Sequence, residues 1–107
     1  KMTNEYVLIQ DKNIGLGQIA VARSVVDHIV SITVYEDENV FLAHKKAVVI
    51  EDKGDHLSVY LEDKVQYGQD VERACRALQD KLQTSLALMI DYKDTEINIS
   101  VVGFKFN

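Results

Sequence analysis

The chain has 107 residues, 47% of them hydrophobic and 27% charged, with a formal net charge of −5. That length suits one domain with its own core, and the composition is far from that of disordered chains. The negative balance argues against nonspecific nucleic-acid binding and against direct adsorption to an anionic bilayer, since both depend on clustered cations.

One cysteine, Cys75, cannot form an intrachain disulfide, so the expected compartment is cytoplasmic. The longest apolar run, residues 86–90, is five residues long, against the roughly 20 that a membrane-spanning helix needs; direct membrane insertion is not expected. Met2 reads as a native start and Lys1 as the remnant of a tag, with no signal peptide visible.

In chain order, Glu5, Tyr6, Val7, Leu8 and Ile9 form a short strand-like apolar run. Residues 1–16 are therefore expected to be an N-terminal arm or an edge strand, ahead of a domain over residues 17–107. Asn13, Ile14, Gly15, Leu16 and Gly17 break the run. Gln18, Ile19, Ala20 and Val21 then alternate as a short strand. From about residue 22 to 37, Val25, Val26, Ile29, Val30 and Thr33 follow helical spacing. The abundance of β-branched residues leaves a strand from Ile29 to Tyr35 as the alternative. Length and paired apolar positions favour the helix, with Asn39 as a left-handed stop.

Ala47, Val48, Val49 and Ile50 read as a buried strand, and Gly54 supplies positive φ for the turn that follows. Leu57, Val59 and Leu61 alternate with Ser58, Tyr60 and Glu62, which completes a β-hairpin; Val65 and Tyr67 can extend its second strand to Gly68. From residue 70 to about 90, Val71, Ala74, Cys75, Leu78, Leu82, Ser85, Leu86 and Met89 form one helical stripe. Asp70 is placed to cap this helix, and Glu72 and Arg76 form an i, i+4 pair. A closing strand over residues 96–106 turns Ile97, Ile99 and Val101 one way and Asn98 and Ser100 the other. The order β–α–β–β–α–β implies an α+β fold with two helices on one face of a mostly antiparallel sheet.

Chemistry is sparse in this pattern. Gly15, Leu16 and Gly17 lack the spacing of a phosphate-binding loop. His28, His44 and His56 are scattered and read as surface residues, not metal ligands. Cys75 lies on the apolar stripe, where a thiol packs and is inert. Glu51, Asp52, Asp55, Glu62 and Asp63 read as solvated charges in turns and strand ends. The glycine-bracketed loop and the aromatic-basic strand of small RNA-binding modules are both missing. No catalytic, metal or cofactor site is expected, and no enzymatic activity.

Three stretches, in order, resemble a known family. Gly17, Gln18, Ile19, Ala20 and Val21, followed by Val25, Val26 and Ile29, are similar to the opening of the alkaline shock protein twenty-three family, also called the Gls-twenty-four envelope stress response family. Val65, Gln66, Tyr67 and Gly68, then Val71, Ala74, Ala77, Leu78, Gln79 and Leu82, resemble the start of its long helix. Residues 97–106, with Asn98, Gly103, Phe104 and Phe106, resemble its closing strand. There are departures. Ala22 replaces the usual capping Ser, so the first helix is expected to start less crisply. Asn39 replaces a common Gly, and the charged tails of longer members are missing.

The resemblance implies a small, non-enzymatic cytoplasmic protein of Gram-positive bacteria, concerned with cell-envelope homeostasis. Its implied partners are proteins: an integral membrane protein through which it reaches the membrane, a lipid-metabolism enzyme, or further copies of itself. Gly17, Ile19, Val65, Tyr67, Gly68, Asn98 and Gly103 carry the match as structural positions, with Gly68 and Gly103 suited to tight backbone. Asn98, Ser100, Phe104 and Phe106 on the last strand are the expected interface, because an edge strand offers backbone groups to another chain. A small-molecule-sensing domain that holds a ligand between subunits is the alternative.

Overall fold

A computed structural model describes residues 6–10, 19–88 and 94–106. The elements are β1 (Tyr6–Gln10), β2 (Ile19–Ala22), α1 (Arg23–Tyr35), β3 (Val40–Leu42), β4 (Val48–Asp52), β5 (His56–Gln66), α2 (Val71–Ala87) and β6 (Asp94–Lys105). The expected α+β class is what the structure has: two helices packed with a mostly antiparallel four-stranded sheet.

β5 is the spine of that sheet. β3 and β4 lie end to end along one of its edges, both antiparallel to it, and β6 runs parallel along the other. Residues between β3 and β4 leave the ladder opposite Glu62, which donates its N–H to the Ala47 carbonyl and accepts from the Ala43 N–H, each at 3.0 Å. The helix joining β5 to β6 is what a parallel pair requires, since a tight turn can join only antiparallel strands.

Two expectations about the N-terminal region need correction. β2 does not join the main sheet; it pairs antiparallel with β1 in a separate two-stranded ribbon. The additional strand of the sheet is instead β3, just after α1. Asn39 is not left-handed either, because positive φ among the described residues occurs only at Gly54 and Gly68. α1 stops through the Asp37 carboxylate, which accepts the N–H groups of Asn39 (2.8 Å) and Val40 (3.1 Å) and turns the chain into β3. The loop of Gly15, Leu16 and Gly17, and Met89 at the end of the long stripe, lie outside the described residues.

α1 is a helix despite its β-branched composition because Val26, Val30 and Val34 fall on one line and are completely or almost completely buried. Thr33 spends its hydroxyl on the Ile29 carbonyl at 2.8 Å. No side chain caps its start at Ala22, in keeping with the missing Ser. The Arg23 guanidinium donates to the Ile50 carbonyl and ties that start to β4. α2 is better capped: Asp70 accepts the Arg73 N–H at 3.1 Å, and Glu72 meets Arg76 at 3.0 Å. Its Leu78, Leu82 and Leu86 close the core against Leu57, Val59 and Leu61 of β5 and Ile97 of β6.

Candidate interaction surface

Among the described residues, a strand holds β6 on one side only. Among the described strands β6 pairs with β5 alone, from His56↔Asp94 to Gln66↔Lys105, with a register break that skips Val102. Its first half is tied to α2. Gln79 donates to the Ile97 carbonyl at 3.2 Å, and Gln83 to the Thr95 carbonyl at 3.0 Å while accepting from the Thr95 hydroxyl at 2.8 Å. The second half and the residue after it, residues 99–106, have no such ties to α2 among the described residues.

Part of the exposed apolar surface lies at that second half; Tyr35 and Leu88 are exposed elsewhere. Val102 is 53% exposed, Phe104 44% and Phe106 64%, and Tyr67 beside them is 63% exposed. Tyr67 stacks at a tilt on Phe106, with centroids 4.8 Å apart, and meets Phe104 edge-on at 6.0 Å. Backbone geometry holds the group together: the Tyr67 N–H donates to the Lys105 carbonyl at 2.9 Å. Gly68, at φ 95°, then turns the chain into α2, a conformation suited to glycine. Lys105 reaches over the ring of Phe41, 5.2 Å from its centre.

The expected interface residues divide. Phe104, Phe106 and Ser100 are exposed, but Asn98 is half-buried and turns its amide to the Val59 carbonyl at 3.4 Å, within the sheet. Gly103 also differs from expectation. Its φ is not positive, and a Cβ built there would meet only the side chain of Lys64, at 3.8 Å. Its own fold does not require a glycine at that point. Val65 is core, as expected, whereas Gly17 lies outside the described residues and only the backbone of Ile19 is described. Tyr67 and Val102 join the surface without having been assigned to it from sequence; Val102 stands near Phe104 in the strand, whereas Tyr67 reaches it through the pairing of β5 with β6.

Asp63 is the clearest correction. Expected as a solvated charge at a strand end, it is completely buried in the middle stretch of β5, and neither carboxylate oxygen has a hydrogen-bond partner. Strand alternation explains this: Leu57, Val59, Leu61, Asp63 and Val65 share the face under the helices. Burial, and then the neighbouring Asp37 carboxylate, push its pKa up to about 6. Asp37 itself is tied by backbone N–H groups and by Lys81, whose Nζ lies 2.8 Å from Oδ2. Burial, with Asp63 adding to it, raises the pKa of the Cys75 thiol, the opposite of what a nucleophile needs.

His44 and His56 contact the exposed carboxylates of Glu62 and Asp55, each at 2.7 Å. Among the described residues no three His, Cys, Asp or Glu side chains cluster as a metal site, and no helix is long and apolar enough to cross a membrane. Among the described residues the geometry offers an apolar, aromatic strand end with one edge unpaired by another strand, chemistry suited to association. The chain matches no known family model, no curated protein and no solved structure.

Proposed function

We propose that this chain is a non-enzymatic interaction domain of the alkaline-shock, envelope-stress type, acting in the cytoplasm of a Gram-positive cell. It self-associates and docks an integral membrane protein or a lipid-metabolism enzyme. The observation that carries the reading is the open second half of β6, where Val102, Phe104, Phe106 and Tyr67 stand exposed together. The three stretches that resemble the family support the envelope role. Crosslinking in intact cells, followed by capture from soluble and membrane fractions, tests it. The expected result is one integral membrane protein or lipid-metabolism enzyme recovered with the native chain and lost with Phe104→Ser/Phe106→Ser. A chain that is monomeric at every concentration and captures no specific partner removes the reading.

A second reading, a small-molecule-sensing domain with its ligand held where two copies meet, is favoured by one observation. A cleft of about 340 Å³ is lined by Val34, Tyr35, Val40, Phe41 and Leu42, with Lys105 as its cation. A ligand at about 100-fold excess over its dissociation constant stabilises by about 2.7 kcal/mol, so a thermal-shift screen of small amphipathic acids separates the two readings.

A further inference from the structure

Gly103 is a glycine that its own fold does not require. Its backbone is not left-handed, and the space above it is open except for the flexible Lys64 side chain. Glycine inside a strand weakens it and often marks the close approach of another backbone. The register break next to it adds a second peculiarity. Skipping Val102 puts Phe104 opposite Val65, as Ile99 is opposite Leu61 and Val101 opposite Asp63. Ile99, Val101 and Phe104 therefore share the helix-side face of the sheet, and strand alternation continues that face toward Phe106.

From this we infer that the second half of β6 pairs antiparallel with the same segment of a second copy, about a two-fold axis through Gly103. The inference rests on the interaction reading above and names the partner and the register. Two-fold antiparallel pairing requires opposed residues to lie on the same face. With Gly103 on the axis and Val102 bulged out, Val101 stands opposite Phe104 of the second copy, Ile99 opposite Phe106, and Ser100 opposite Lys105. Every pair is face-matched, and the register break is what makes them so.

Charge points to the same occupant. Each copy carries −5, yet residues 97–107 contain no acid and only one base, Lys105. Two copies therefore meet where their repulsion is least, and no like charges stand opposite each other. The amide bonds from Gln79 and Gln83 lie outside the paired segment, so pairing leaves them intact. At the axis an absent side chain lets the two backbones approach.

Sedimentation equilibrium on the full chain tests this with three proteins: native, Gly103→Glu and Gly103→Lys. The native chain is expected to dimerise. Gly103→Glu places two carboxylates together at the axis and is expected to weaken the dimer at least about tenfold, while circular dichroism and urea unfolding show an intact fold. Mixing Gly103→Glu with Gly103→Lys is expected to restore a heterodimer, which a merely damaged fold cannot do. A native chain that is monomeric throughout overturns the inference; if it still captures a protein partner, the interaction reading stands without it. A dimer indifferent to Gly103→Glu overturns the register while self-association survives. Failure of the mixed pair to associate likewise overturns the axis at Gly103.

Discussion

Asp63 is the residue whose environment departs furthest from its type. A carboxylate with no exposed surface and no hydrogen-bond partner destabilises the fold whenever it is charged. Its pKa, about 6 in the folded chain, stands above the ordinary 3.8, so the native state binds the proton more tightly than the unfolded state. Its contribution to stability is whole below about pH 4, declines as pH rises toward 6, and is lost above that. The decline amounts to roughly 1–3 kcal/mol. Urea unfolding between pH 4 and 8 should show this loss in the native chain and a much flatter profile in Asp63→Asn; parallel profiles would show that the carboxylate is not the source. Two glycines give a contrast at the same scale. Gly68→Ala forces a side chain into positive φ and is expected to cost about 1–2 kcal/mol. Gly103→Ala meets no such strain and should leave monomer stability unchanged or slightly raised in the same urea assay.

The elements differ in how openly the sequence declares them. α2 was legible because its apolar residues keep 3.6-residue spacing and Asp70 stands at the cap position; both features recur in the structure, with Asp70 accepting the Arg73 N–H. Asp70→Ala is accordingly expected to cost about 1 kcal/mol of unfolding free energy, measurable by thermal or urea denaturation. α1 was ambiguous in isolation because β-branched propensity and helical spacing disagree; burial of Val26, Val30 and Val34 resolves the conflict through tertiary packing. β3 was not legible, for three residues carry no usable period. Nor does local sequence state that β6 pairs parallel with β5, or that β2 pairs with β1, because strand partners are chosen by long-range packing. The candidate surface was half legible. Phe104, Phe106 and Ser100 follow from alternation and the open edge. The inward turn of Asn98 and the glutamine bonds from α2 depend on contacts between elements distant in the chain. Asp63 could have been placed, since it keeps phase with Leu61 and Val65. The neighbouring Glu62 masks that phase, because two adjacent acids resemble a solvated run.

At the scale of the whole molecule, the β6 end stands apart in its lack of acids. The acids are spread over helices, turns, β4, β5 and the first half of β6, while the last strand half is free of them and carries the exposed Phe104. Association through that end is opposed by the general repulsion between two bodies of charge −5 and driven by apolar contact and backbone pairing. Salt screens the first term and leaves the second in place, the Debye length falling from about 30 Å at 0.01 M to about 3 Å at 1 M. Self-association is therefore expected to tighten as sodium chloride rises from about 0.02 to 0.5 M, as read by sedimentation equilibrium. Ion pairs across the interface would give the reverse dependence, and a dimer that weakens with salt would have to be built from charged surfaces elsewhere on the molecule. The same linkage makes thermal stability depend on concentration, because a partner that binds only the folded chain raises Tm by mass action. The native protein should melt higher at higher protein concentration, most clearly in high salt, and Gly103→Glu should not. A concentration dependence of equal size in both proteins would place the driving force for association outside the β6 end.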